Sequence, residues 1–452
     1  MQQDDKTQQP IKIIKAAHLV TADEQGNCFS PGAIALKGAE IVAVGSPESV
    51  EAKVSSVTDK PHVIEYPNEA LMPGLINSHA HSGMSLFRGM ADDLPLMTWL
   101  QSHIWPAEAA WISEAFVCAG TRLAIAEMLL SGTTAFTDMY FFPELVAQTA
   151  HSAGMRVQLA CPLLDFPTPW GSGPDEYLEK IDALLNDYGQ PAQLSDLVHV
   201  GIGPHAPYTV SDAPLQRAAA LADKHNTFIQ MHVHETAHEV SEAVEKSGQR
   251  PLNRLHQLGL LGPHFQAVHF TQASPADIEL AAETGISVIH CPESNLKLAS
   301  GFTPTQAFIN AGVNVALGTD GAASNNDLDM FSELRSASLL AKAVSLDASA
   351  LPAATALKLP TQNAATALGR AKQLGTLQEG SAADIISVKL DEPNVQPLYK
   401  IQSQLAYALN SHQVQNVWIA GNQVVKNRQL LTLDLTEILA ETDQWREKIA
   451  QA

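Results

Sequence analysis

The sequence predicts an α/β protein, a (β/α)8 TIM barrel with a small β-sandwich domain formed from both chain termini. Two observations carry the barrel and a third carries the appended domain. Between about residues 71 and 370, eight short apolar runs alternate with alanine- and leucine-rich helical stretches, the alternation that parallel strands and their crossover helices require. Metal-competent side chains sit at the C-terminal ends of five runs: His79 and His81, His205, His232, His269, and Asp320. Barrel enzymes build their sites on that face. Short β-like runs punctuated by Gly, Pro and Asn fill the first seventy residues and return near the other end.

Taken in order, "IKIIKAAHLV", "GAIALKGAEIVAVG" and "HVIEY" place the N-terminal part of the β-sandwich at residues 1–69. The barrel follows over residues 70–372. Its strands are read from "LMPGLINSHAH", "GTTAFTDMY", "RVQLACPLL", "VHVGIGPHAPY", "TFIQMHVHE", "FQAVHFTQ", "SVIHCPESN" and "NVALGTDGAAS". Stretches such as "EAFVCAGTRLAIAEMLLSG" and "APLQRAAALADKHN" read as the helices between them. Residues 373–432 return to strand texture, with "VQNVWIAGNQVV" turning on Gly421-Asn422, and residues 433–452 read as a surface helix.

Composition bounds the function. The chain has 452 residues, 45% hydrophobic and 17% charged, enough for a large core without disulfide staples. Four scattered cysteines form no C-x-x-C pair, so neither a zinc knuckle nor a disulfide framework is suggested, and a reducing cytoplasm is expected. The polar start "MQQDDKTQQP" does not read as a signal peptide, so none is expected, and no apolar run approaches a membrane span. A formal net charge of −21 argues against nucleic-acid polymers and anionic membranes while leaving small ligands open.

His79-Ala80-His81 places two imidazoles on one side of a strand end. H-x-H alone is a weak signal, but a proline-glycine turn leading into an apolar strand that ends in histidines strengthens it. "MHVHETAHE" offers two frames. One is H-E-x-x-H over His234 to His238, a zinc-peptidase pattern that needs both histidines on one helix face. The other takes His232 as the end of a strand, with Glu235 three residues on. The preceding "TFIQMHV" reads as a strand and no G-x-x-H continuation follows, which favours the second frame.

"PGLINSHAH", the histidines ending the fifth and sixth strands, and "GTDGAAS" ending the eighth together resemble the amidohydrolase superfamily. Within it, "HSGMSLFRGMADDLPLMTWL" followed by "WPAE" resembles the deaminases of S-adenosylhomocysteine and 5′-methylthioadenosine, and related nucleoside and guanine deaminases. The likeness covers nearly the whole chain. It implies that His79, His81, His232 and Asp320 ligate a metal, a set that suits zinc, with iron the chief rival. No lysine ends the third or fourth strand to bridge a second ion, so one metal per subunit is expected. The resemblance also implies roles for three residues around a metal-bound hydroxide. Asp320 accepts the water's proton, Glu235 protonates a ring nitrogen, and His269 hydrogen-bonds the hydroxide. Glu108 in "WPAE" maps to a ribose-binding glutamate and His205 to a residue contacting the nucleoside.

The sequence departs from the family at one place. The loop after the third strand, "ACPLLDFPTPWGSGPDEYLEK", lacks the arginines that hold a homocysteine carboxylate, and Arg156 sits at the strand's start, facing away. Phe166 and Trp170 make that loop apolar. The expectation is a purine-nucleoside deaminase acting on 5′-methylthioadenosine or adenosine ahead of S-adenosylhomocysteine, working as a homo-oligomer. Alternatives are a free-purine deaminase, an aminotriazine hydrolase, the H-E-x-x-H peptidase, or a silent binding protein. Ser294 and Asn295 are read as a well-bonded turn outside the site, and Cys291 as a small buried hydrophobe.

Overall fold

The computed structural model describes residues 10–58, 60–189 and 191–451. All eight apolar runs form strands of one parallel sheet: Leu75–Ala80, Thr133–Asp138, Arg156–Leu163, Val198–Pro204, Ile229–Val233, Phe265–His269, Ser287–His290 and Asn314–Leu317. They neighbour one another in sequence order, with helical segments between each pair. The (β/α)8 reading holds. Helices cover the outer face and side chains fill the inner one, so the first two strands are buried along their whole length.

The seam between the eighth and first strands is stitched at its C-terminal end, where the site lies. The Asp320 N–H donates to the His79 carbonyl at 3.0 Å. Asn77 and Thr319 exchange two further bonds, at 2.7 and 3.0 Å. Gly318 is needed at this crossing, because a Cβ there would lie 2.7 Å from the His79 nitrogen. Local signals start the helices: Ser113 caps Glu114–Leu130, and Ser274 forms a capping box with Asp277 on Pro275–Thr284. Between the first two strands, a helical run from Leu96 to Trp111 carries a π turn at Leu100–Ile104 and supplies one wall of the pocket described below. Among the described residues, no single helix is long and apolar enough to cross a membrane.

Both termini build one β domain. Ile11–Val20 pairs with Gly32–Lys37 and with His62–Pro73. His62–Pro73 in turn pairs with Ile385–Lys389, which continues to Val414–Ile419 and Asn422–Lys426. The nine strands lie on one hydrogen-bonded sheet. Its edge strand Glu40–Gly45 curls back to the 380–383 segment through the Ile41 N–H to Ser381 O bond at 2.9 Å. That closure encloses Ile14, Leu36, Leu71, Ile385 and Trp418. His62–Pro73 serves this sheet to its end, so we propose Gly74 as the point of handover to the barrel. The terminal helix, Leu435–Ala450, packs on Glu114–Leu130, with Trp445 edge-on to Phe116.

Arg156, at the start of the third barrel strand, ties the barrel's N-terminal end to the β domain. Its guanidinium forks onto Asp384 at 2.6 and 2.9 Å, and Asp384 also accepts from the Ala420 N–H. Both side chains are at most 6% exposed. Arg156→Met leaves a buried carboxylate without its cation and should cost about 3–5 kcal/mol of stability. The expected readout is an earlier urea midpoint with unchanged activity per folded molecule; an unmoved midpoint would refute the pairing.

Candidate active site

His79 and His81 end the first strand and point at the fifth and eighth. The His79 Nε2 lies 3.1 Å from the His232 Nε2 and 3.6 Å from the Asp320 Oδ1. The His81 Nε2 lies 3.1 Å from the same Asp320 oxygen. The rear nitrogens of these rings are engaged. His81 Nδ1–H donates to the Met139 carbonyl at 2.6 Å, and His232 Nδ1–H to the His205 carbonyl at 2.7 Å. Carbonyls only accept, so each of these rings donates from Nδ1 and leaves its Nε2 to face the centre. Two lone pairs facing each other at 3.1 Å repel unless a cation lies between them. Three imidazole nitrogens with one carboxylate therefore fit a divalent metal, zinc above all.

The electrostatics of the donor set point the same way. Burial lowers His79 to about 4, and burial with the neighbouring rings holds His232 well below its ordinary value. Burial opposes the charged form of His81 too, but the Asp320 carboxylate overcomes it and raises His81 to about 9. The Asp320 carboxylate thus favours positive charge at this centre. A second overlapping group, His79, His269 and Asp320, also has its ligand atoms within 4.8 Å of one another. His269 therefore sits at the edge of the same centre.

Asp320 is held from three sides. Its Oδ1 accepts from the Gly321 N–H at 2.8 Å, and its Oδ2 accepts from the Ser294 and Ser324 hydroxyls at 2.7 and 3.0 Å. Asn295 engages the His269 Nδ1 at 2.9 Å. His269 and Asp320 both adopt left-handed backbone, φ 71° and 64°, a conformation that costs a non-glycine residue about 1–3 kcal/mol and collects at functional sites. Here it turns both side chains back over the barrel mouth. Ser294 and Asn295, read from sequence as a bonded turn, thus support a carboxylate and a ring in the centre itself.

Glu235 follows the fifth strand and is buried. Its N–H donates to Glu239 Oε2 at 2.7 Å, and its carbonyl accepts from Thr271 Oγ1 at 2.7 Å. Its Oε2 stands 3.8 Å from the His269 Nε2. Loss of hydration, with the nearby Asp320 charge, pushes its carboxyl up to about 8, so it keeps its proton at neutral pH. In the competing frame, His234 is buried against Phe270 and its Nε2 accepts from the Leu252 N–H at 3.1 Å. His238 is exposed at the start of the helix Ala237–Ser247. The H-E-x-x-H histidines do not share a face.

An apolar pocket opens above this centre. Glu108 lines it and bonds Tyr140, whose hydroxyl donates to Glu108 Oε1 at 2.9 Å; burial raises the Glu108 carboxyl to about 7. His205 lines it too, its Nδ1 3.1 Å from Thr209 Oγ1. Seven of the eight sequence-predicted site residues line this cavity, and the eighth, His79, is fully buried beneath it against His232 and Asp320. Phe166 reaches the pocket wall, but Trp170 does not: it stacks on Tyr177 and donates to Glu144. Its sequence position in the loop gives no indication of which way it faces. Tyr140 was not anticipated, although it directly follows the polar end of "GTTAFTDMY". Cys291 is fully buried, as expected of a small hydrophobe.

Residues 70–424 match the sequence model of the amidohydrolase family. A Teredinibacter turnerae protein named 5-methylthioadenosine/S-adenosylhomocysteine deaminase is 52% identical over 386 residues, covering 85% of this chain and 86% of its own. One of the same name from Saccharophagus degradans is 48% identical over 437 residues, covering 97% and 96%. The crystal structure of an adenosine deaminase from Xanthomonas campestris with bound zinc superimposes with a TM-score of 0.94 at 45% identity, covering 98% of this chain and 100% of that one. Likeness of that depth, running through barrel and β domain alike, places the protein in the amidohydrolase family.

Proposed function

We propose that the protein is a metal-dependent aminohydrolase that converts the adenine of 5′-methylthioadenosine, adenosine or S-adenosylhomocysteine to hypoxanthine, releasing ammonia. The observation that carries this reading is Glu235, a carboxyl that burial and the Asp320 charge push up, standing beside a three-histidine, one-aspartate donor set. The names of close relatives support it. We propose one zinc ion, held by His79, His81, His232 and Asp320; when bound, it supplies the Lewis acidity that lets water act as a nucleophile near pH 7.

The chain's own residues supply the rest. Glu235 gives its proton to N1 of the adenine, which makes C6 electrophilic as the water oxygen adds there. Asp320 takes the proton that the water gives up and passes it to the departing amino group, which leaves as ammonia. His269, steadied by Asn295, faces the oxygen adding at C6. The remaining O–H proton returns to Glu235 as the 6-oxo purine forms. Glu108, with Tyr140 on one carboxyl oxygen, keeps the other for ribose hydroxyls, while His205 borders the purine.

No lysine or arginine lines the pocket among the described residues, and Leu96, Leu100, Leu164 and Phe166 do. A homocysteine carboxylate entering it meets no cation, whereas a methylthio group meets apolar wall. The deamination efficiency for 5′-methylthioadenosine should exceed that for S-adenosylhomocysteine by about tenfold or more, roughly 1.4 kcal/mol; a preference for S-adenosylhomocysteine would sink the substrate order. Glu108→Gln should raise KM for nucleosides about tenfold and leave any activity on free adenine unmoved. The decisive experiment pairs metal analysis with ammonia release from adenine nucleosides and free bases. A protein without metal, or without ammonia from any of these nucleosides, would overturn the proposal.

A further inference from the structure

Beneath the candidate centre, the barrel interior holds three glutamines where apolar side chains would be the ordinary filling. Gln158, Gln230 and Gln266 are each at most 2% exposed. Gln230 and Gln266 are register partners on the fifth and sixth strands, and Gln158 reaches them from the third. All six of their amide N–H bonds have acceptors. Gln230 Nε2 donates to Ser78 O at 2.9 Å and to Gln266 Oε1 at 2.7 Å. Gln266 Nε2 donates to Ala367 O at 2.8 Å and to Gln158 Oε1 at 3.1 Å. Gln158 Nε2 donates to Leu368 O at 3.3 Å and to the His199 Nδ1 at 3.1 Å.

This ladder has one sense. Each NH2 group is pinned by a backbone carbonyl, which can only accept, so none of the three amides can be turned over without setting oxygen against oxygen. Ala367 and Leu368 belong to the short helix Ala364–Ala367 and its cap, which pack among the barrel's inner apolar residues. From these anchors the polarity runs upward and ends with Gln230 Oε1 facing the His79 Nδ1 at 2.7 Å. That oxygen accepts, so His79 must donate from Nδ1 and present its Nε2 lone pair to the centre.

We propose that the Gln158–Gln266–Gln230 ladder is a positioning device for the metal: it fixes His79 in its ligating tautomer and orientation from the floor of the barrel. The inference rests on reading His79 as a ligand. His81 and His232 take the same instruction from backbone carbonyls, which the fold provides. His79 alone takes it from a side chain, and that side chain's orientation is set by two more. A neutral amide also completes the site without adding a carboxylate to it, unlike the carboxylate–histidine pairs that commonly stand behind metal ligands.

Zinc affinity measured by competition with a chelator tests this, alongside the His79 ring-nitrogen shifts in metal-free, 15N-histidine-labelled protein. Gln230→Leu should weaken zinc about 10–100-fold, the usual cost of losing an outer partner, and let His79 populate both tautomers. Gln266→Leu, which leaves the His79 acceptor in place but frees its orientation, should act in the same direction by a smaller factor; it decides the matter if Gln230→Leu does not fold. A purely space-filling role would lower the melting temperature of the metal-free protein and move neither readout. Zinc affinity within twofold of the parent together with an unchanged Nδ1–H tautomer would overturn the ladder. His79→Ala separates the two ideas: if it binds zinc as the parent does, the ligand assignment fails and the ladder falls with it. Loss of zinc in His79→Ala with parental affinity in Gln230→Leu rejects the ladder alone.

Discussion

Glu235→Gln should retain its metal and lose at least about a thousandfold in kcat, within the range that a positioned general acid contributes. The substitution is nearly isosteric, and the backbone there is held independently of the side chain by Glu239 and Thr271, so the pocket keeps its shape. What disappears is the transferable proton. An amide still donates a hydrogen bond to N1, and KM should therefore move far less than kcat. The parent's pH profile carries the same signature. Burial and the Asp320 charge raise Glu235 to about 8; the acid form is competent below that value, and activity should fall on the alkaline side as the proton is lost. A bound cation favours the carboxylate and shifts this limb to lower pH, so zinc-loaded enzyme should lose activity earlier than the metal-free value alone indicates. The expected observation is a parental alkaline limb that is missing from the residual rate of Glu235→Gln. A variant with more than a tenth of parental kcat would remove Glu235 from the proton path.

How much of this centre could be read beforehand depended on which physical feature carried it. The proposed ligand residues were legible because they interrupt apolar strands at corresponding ends, and a barrel brings corresponding ends together. Glu108 was different: in "WPAE" it looks like any helix-start carboxylate, and only the resemblance singled it out. Its partner Tyr140 lies 32 residues away across a pocket wall, a pairing that no local pattern encodes. The left-handed backbone at His269 and Asp320 gave no usable signal: both residue types are enriched at positive φ, but so few non-glycine residues adopt it that type alone does not locate it. Ser294 and Asn295 looked like turn formers, and they are; their side chains also reach the centre because the helix Pro292–Lys297 begins at its rim. Gln230 was present in "TFIQMHV" as one polar residue in an apolar strand. Its role emerges only once Gln158 and Gln266, from two other strands, are placed beside it. Trp170 shows the opposite limit: an aromatic side chain in a site loop is free to pack away from the site.

The largest effect on metal content should come from His232→Ala, and the neighbouring His238→Ala should have almost none. Both histidines fall in "MHVHETAHE", and the two reading frames assign the metal to different ones. His232 points into the centre from a strand, its Nδ1 tied to the His205 carbonyl and its Nε2 3.1 Å from that of His79. Removing it deletes one of four donors and leaves His79 with an unfilled neighbour, so zinc affinity should fall by more than the roughly 100-fold upper range for an outer-shell loss. His238 is exposed on the following helix, and its loss should change affinity less than twofold. His234→Ala provides the third arm. That ring accepts the Leu252 N–H in a buried position, so its removal strands a backbone donor and should destabilise the fold by about 1–3 kcal/mol while zinc content per folded molecule stays at the parental value. In a peptidase of the H-E-x-x-H type, His234 and His238 would instead fail together in metal binding and His232 would be silent. The glutamate between the frames is the same residue in either case. What separates them is the element on which the first ligand sits, and with His232 on a strand the proposed role of Glu235 is to protonate a ring from the pocket side.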